Sequence, residues 1–240
     1  MKPESPSSVT TRHPDRSPSL LPPDEIHVWV ANLHPASGGT AARLAATTHA
    51  ERERASRFHR QDDAERYLYA HGVLRMILGE YLASDPLALH FGTHENGKPF
   101  LEDGRLQFNL SHSGDLALIA VARARHVGVD VEQVRPMHDL DALAARICTP
   151  GELAIITGLA DPHRERAFFA MWTRKEALAK ATGEGISAVV RDARAAVIEA
   201  DGRWTLVEMG DIPGYAACVA GEGSRWRLVR RNLTDPTGGR

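Results

Sequence analysis

From residue 25 onward the chain switches between two hydrophobic periods. Ile26, Val28 and Val30 alternate with polar or aromatic neighbours, which predicts a first strand. The Ala-, Arg- and Glu-rich segment 40–58 predicts a helix. A second helix is predicted over 62–82, where Tyr67, Ala70, Leu74, Ile77, Leu78 and Tyr81 recur at helical spacing. Asp62 and Asp63 supply its N-terminal cap and Asp85-Pro86 ends it. Asn96-Gly97 suits a tight turn, with short strand pieces around 89–91 and 100–110. The apolar run 116–122 predicts a buried strand. In the next strand, 126–132, Val127, Val129 and Val131 face one way while Gly128, Asp130 and Glu132 face the other.

Helices are predicted at 140–147, 150–158 and 164–182, the last closed by Gly183. Short apolar runs at 194–198, 204–207, 215–220 and 226–229 predict a strand meander, with turns at Asp201-Gly202 and Pro213-Gly214. Strand, helices and strands thus occur twice in order, which predicts an α+β chain of two similar halves, 25–125 and 126–232. Residues 1–24, rich in Pro and Ser, and 233–240 are expected to be disordered tails.

Composition narrows the function classes. With 42% hydrophobic and 25% charged residues, the chain has the make-up of a globular domain with its own core. Lys+Arg number 29 against 31 Asp+Glu, so the basic surplus of a nucleic-acid binder is missing. The longest apolar run, 116–122, falls well short of the roughly 20 residues a membrane helix needs. Cys148 and Cys218 have no metal-type spacing, and the expected location is the cytoplasm.

Three patterns could carry chemistry. In Gly128-Val129-Asp130-Val131-Glu132, strand alternation sets two carboxylates side by side, where they repel unless a cation or shared proton relieves them. Hard oxygen ligands favour magnesium or manganese, although a solvated strand face can look the same. In Trp172 to Lys180, Trp172, Glu176 and Lys180 form one helical stripe, which equally describes a salt-bridged surface helix. In Phe108-Asn109-Leu110-Ser111-His112-Ser113-Gly114, hydroxyl, imidazole and backbone groups offer donors to a phosphate. A Ser-His hydrolase competes with that reading, but adjacent side chains on an extended segment point to opposite faces.

Taken in order, Asn-Gly-Lys-Pro at 96–99, Asn-Leu-Ser-His-Ser-Gly at 109–114, Gly-Val-Asp-Val-Glu at 128–132 and Trp-Thr-Arg-Lys-Glu-Ala-Leu-Ala-Lys at 172–180 resemble the surfactin-type (Sfp-like) 4′-phosphopantetheinyl transferases. The resemblance reaches upstream to 57–66 and covers about residues 50 to 186. It implies an intramolecular pseudo-dimer of two α/β halves, a monomer with the active site at their junction. It implies transfer of the 4′-phosphopantetheine arm of coenzyme A to a serine of an acyl or peptidyl carrier protein, releasing 3′,5′-ADP. The resemblance further assigns magnesium, with manganese as a substitute, to Asp130, Glu132 and Glu176. Ser111 and His112 would contact coenzyme A phosphates, with Lys98, Arg66 and Arg54 around the 3′-phosphate. Lys180 would neutralise the transferring phosphate, and Glu176 would serve as base with Glu152 as the alternative. Two other classes stay open: an idle coenzyme A or carrier-binding relative, and a magnesium-dependent pyrophosphate hydrolase. The family often has a lysine near position 51, where this chain has Glu51, and Ile147-Cys148 replaces a Phe-Phe pair.

Overall fold

The computed structural model describes residues 10–11, 21–123, 125–161, 163–186 and 202–233. The order of elements is β1 Thr10–Thr11, β2 Glu25–Asn32, α1 Thr40–Ala45, α2 His49–Ala55, α3 Gln61–Leu82, β3 Phe91–Thr93, β4 Pro99–Leu101, β5 Gln107–Ser113, β6 Leu116–Ala122 and β7 Val127–Gln133. There follow α4 Leu140–Ile147, α5 Pro150–Thr157, α6 His163–Thr182, β8 Trp204–Glu208, β9 Tyr215–Glu222 and β10 Arg227–Asn232.

Two sheets lie face to face between two helices. The first has the order β1-β10-β2-β6-β5 and the second β7-β9-β8. One face of the first sheet, with Trp29, Phe108, Ile119 and Val121, packs on Val73, Leu74, Ile77 and Leu78 of α3. Its other face, with Ile26, Val28, Leu118 and Ala120, meets Val127, Val129, Val131 and Val219 of the second sheet. Cys218 and Ala220 on the far side pack against Ala177, Leu178 and Ala181 of α6. The valines of β7 are therefore the inter-sheet core, as their alternation predicted. Gly128 makes the tight crossing possible, because a Cβ there would lie 2.1 Å from the Ala177 carbonyl oxygen of α6.

Several expectations change. The helix predicted over 40–58 is two, because Thr48 turns extended (ψ 166°) and caps α2 in a reciprocal capping box with Glu51. Asp62 and Asp63 lie in the first turn of α3, and the N-cap is Arg60. The apolar run near 226–229 does not extend the meander. As β10 it pairs in parallel with β2, Leu228 opposite Ile26 and Val229 opposite His27. Polar contacts fix that register: Arg227 donates to Glu25 at 2.7 Å and Arg231 Nε lies 3.1 Å from His27 Nδ1. The first sheet thus contains a strand from the end of the chain. Leu21, expected in the tail, is 3% exposed in the α3-side core, because its apolar side chain has a pocket to fill. The run predicted at 194–198 lies outside the described residues.

Candidate active site

The site grows from the seam where the edge strands β5 and β7 meet. Alternate residues of β5 replace the missing ladder: Asn109 Oδ1 accepts from the Val129 N–H at 2.8 Å, Ser111 Oγ from Val131 at 3.4 Å and Ser113 Oγ from Gln133 at 3.2 Å. A strand edge left unpaired in the interior would cost free energy at each N–H. These three side chains satisfy it and set the register between the halves. The two hydroxyls also donate onward, Ser111 to Asp130 Oδ1 at 2.8 Å and Ser113 to Glu132 Oε2 at 2.7 Å.

Lys180, one turn beyond Glu176 on α6, reaches the same point. Its ammonium lies 2.6 Å from Asp130 Oδ1 and 3.1 Å from Ser111 Oγ. Asp130 is 4% exposed, and its Oδ2 is buried without a hydrogen-bond partner. Burial pushes the Asp130 carboxyl above its ordinary pKa, against the pull of Lys180 and Ser111. Burial also raises Glu176, opposed by Lys180 and reinforced by the charges of Asp130 and Glu132. Asp130, Glu132, Glu176 and Lys180 are therefore brought together. An orphaned carboxylate oxygen beside two further carboxylates is a donor set that suits a hard divalent cation. Among the described residues, no three His, Cys, Asp or Glu side chains are placed so that together they could hold a metal ion, Asp130, Glu132 and Glu176 included.

His112 projects to the opposite side of β5 and is exposed at its end. Crowding by the surrounding protein, then the positive charges of His71, Lys180 and Arg66, hold its ring below the ordinary histidine pKa. Arg66 on α3 pairs with Asp115 at 3.0 Å. Arg54 lies over the Tyr67 ring at 5.5 Å and lines a cleft of about 970 Å³ with Arg57, Phe58, His59 and Arg60. The acidic cluster does not line that cleft. Glu176 and Lys180 instead line a smaller cavity of about 310 Å³ together with Lys98 and Asn109.

Three sequence-derived candidates have partners within the protein. The Lys98 ammonium donates to the main-chain carbonyls of Val127 at 2.9 Å and Lys180 at 2.7 Å, and burial lowers its pKa to about 8. Ser111 has its hydroxyl committed to Asp130. Glu152 caps α5 through Thr149 and pairs with the 2%-exposed Lys175 at 2.7 Å. Lys175 and Glu176 are successive on α6, so their side chains diverge by about 100°, and Glu152 belongs with the first of them. Glu51 also points inward, its carboxylate 2.8 Å from Arg75. Burial works to raise that carboxyl, but hydrogen bonds from His71, the Thr48 N–H and Arg75 overcome it and hold it at about 2. Position 51 is thus part of the core of the half, and the cationic face of α2 is carried by Arg54. Asn109 and Ser113 join Ser111 at the seam, and the signal for them in the sequence is their two-residue spacing on β5.

The layered helices and sheets, with Asp130 and Lys180 in contact between β7 and α6, define a mixed α+β protein. A family model described as 4′-phosphopantetheinyl transferase superfamily matches residues 126–226, and one described as 4′-phosphopantetheinyl transferase, N-terminal, matches 32–124. The 4′-phosphopantetheinyl transferase HetI of Nostoc sp. is 36% identical over 214 residues, 85% of this chain and 90% of that protein. The 4′-phosphopantetheinyl transferase psf-1 of Bacillus pumilus is 38% identical over 157 residues, covering 65% and 66% of the two chains. A 4′-phosphopantetheinyl transferase of Bacillus subtilis is 32% identical over 155 residues, covering 64% and 68%. The chain belongs to the 4′-phosphopantetheinyl transferase superfamily and is a transferase enzyme. No described helix is long and apolar enough to cross a membrane.

Proposed function

We propose that the chain transfers the 4′-phosphopantetheine arm of coenzyme A to a serine of an acyl or peptidyl carrier protein. The observation that carries this reading is the Lys180–Asp130 contact, with Asp130 Oδ2 unpartnered and Glu132 and Glu176 beside it. The carrier serine oxygen forms a bond to the β-phosphorus of coenzyme A, the bond to 3′,5′-ADP breaks, and the serine proton goes to a base. Glu176 is favoured as that base, because its raised pKa suits proton uptake while Glu152 is held by Lys175 and its own helix cap.

Asp130, Glu132 and Glu176 would hold magnesium, or manganese in its place, which supplies charge neutralisation of the pyrophosphate. The Lys180 ammonium adds a fixed positive charge at the same point. The Arg66 charge acts on the His112 ring and Arg54 lies over Tyr67 of α3 in the α2–α3 cleft, and we assign the remaining coenzyme A phosphates, the 3′-phosphate included, to these three residues. The layered halves support an intramolecular pseudo-dimer acting as a monomer, since each half already covers the face of the other, and the cytoplasm is its expected location.

The test is incubation with coenzyme A, magnesium and a panel of apo carrier proteins, read by intact mass. The expected result is the gain of one phosphopantetheine arm on at least one carrier. Cleavage of coenzyme A without any carrier modification would instead mark a pyrophosphate hydrolase and overturn the assignment.

A further inference from the structure

The last carbonyls of an α-helix have no intrahelical donors and need partners from outside. At the end of α6, Ala179 O is met locally by the Gly183 N–H, whereas Lys180 O and the carbonyl of Gly183, just past the helix, take partners from the other half of the molecule. Lys98 donates to Lys180 O at 2.7 Å, and the Asn96 side-chain amide donates to Gly183 O. The same Lys98 ammonium donates to Val127 O at 2.9 Å, at the first residue of β7. One nitrogen therefore joins the β3–β4 hairpin to the strand carrying Asp130 and Glu132 and to the helix carrying Glu176 and Lys180.

The hairpin is built for this task. Asn96 Oδ1 accepts from the Lys98 N–H at 3.0 Å, which holds the amide end toward α6. Gly97 sits at φ 86°, a conformation that favours glycine and brings Asn96 and Lys98 to the same side. A cation at a helix C-terminus also complements the helix dipole. Two of the three ammonium donors of Lys98 are already on main-chain carbonyls, which leaves one for any other partner.

We propose that the Asn96-Gly97-Lys98 turn is a positioning element, in which Lys98 caps the active-site helix from the opposite half and fixes the Lys180 ammonium over Asp130. The proposal rests on the transferase reading for its kinetic consequence, but its structural consequence is independent of it.

The experiment compares Lys98→Met and Lys98→Arg with the unaltered full chain. Turnover is read at varied coenzyme A, and amide hydrogen exchange is followed along α6 and β7. Lys98→Met is expected to lower kcat by roughly ten- to a hundredfold, the scale of a small misplacement of a reacting group. The KM for coenzyme A should stay within about threefold, because no substrate contact is lost. Exchange should accelerate in the last turn of α6 and the start of β7, and Lys98→Arg should recover much of both. A raised KM with kcat intact would make Lys98 a phosphate ligand and overturn the proposal. Unchanged exchange at the end of α6 would overturn it equally. If Lys98→Met fails to fold, Asn96→Ala removes the second cap donor from the exposed turn. It must then show the faster exchange at the end of α6, or the proposal falls. A wild-type chain that modifies no carrier would remove the transferase reading, while the exchange data still decide the clamp.

Discussion

Lys180 reaches past its own helix to Asp130, with Nζ and Oδ1 2.6 Å apart across the junction of strand and helix. The i,i+4 spacing of Glu176 and Lys180 describes a surface pair, but the lysine is used for a carboxylate that is 4% exposed. Its removal therefore leaves a buried acid without its cation, and such a loss costs more than a surface pair ever contributes.

Lys180→Ala is expected to lower kcat by orders of magnitude and to cost about 1–3 kcal/mol of stability at neutral pH. Lys180→Arg should recover part of the stability and little of the turnover, because a planar guanidinium puts its charge elsewhere. Denaturant melts and initial rates on the same preparations check both. A stability loss near the few tenths of a kcal/mol of a surface pair would show that Asp130 does not depend on Lys180.

Glu51 gives the acid branch of the stability curve. Its folded pKa of about 2 lies below the 4.5 of an ordinary glutamate, so its contribution is complete above pH 4.5 and is lost as the pH falls toward 2. That contribution is on the order of 3 kcal/mol, and Glu51→Gln should flatten this part of the curve. Glu51→Lys, which restores the residue type common in the family, should destabilise by about 3–5 kcal/mol, since it buries a second cation against Arg75. Urea melts between pH 2 and 7 check the sign: stability rising on acidification through this window would contradict it.

Local patterns were legible where local physics decides. The β7 alternation predicted both faces correctly, and Gly183, at φ 77°, closes α6 as expected. The apolar residues of 226–229 carried strand propensity but no record of their partner. Only the packing of β2 selects it. Lys98 illustrates the same limit at the site. The Gly turn that carries it gives no sign in the sequence that its ammonium meets the end of α6, distant along the chain. The Thr48-x-x-Glu51 spacing of the capping box is visible in the sequence, but the ion pair of Glu51 with Arg75 of α3 depends on packing.

Leu21 predicts where truncation becomes harmful. Its 3%-exposed side chain packs in the core between α3 and the first sheet. Leu21→Ala should cost about 2 kcal/mol, the low end for a buried leucine, because the site lies at the margin of the core. Removing 1–22 should lower the melting temperature by at least as much as the point substitution. An unchanged melting temperature in either variant would place Leu21 outside the folding unit.

The carboxylate cluster predicts a cation that can be detected without turnover. Asp130 and Glu176 both carry raised pKa values from burial, and Glu176 is raised further by its acidic neighbours, so ionising these two acids is disfavoured in the folded chain. A divalent cation bound to the folded state offsets that repulsion and stabilises by RT ln(1 + [L]/Kd), about 2.7 kcal/mol at a hundredfold excess over Kd. Adding magnesium should therefore raise the melting temperature of the wild type, and EDTA should reverse it. Asp130→Asn and Glu176→Gln should each remove a ligand and most of the magnesium response. Either variant should keep its metal-free melting temperature near that of the wild type, because a charge disfavoured by burial has been neutralised in place. Transfer should be lost in both. Calcium in place of magnesium separates binding from chemistry, since it takes the same oxygen donors at longer distances and with more ligands. A wild-type melting temperature indifferent to magnesium at millimolar concentration, with full transfer in EDTA, would assign charge neutralisation to Lys180 alone.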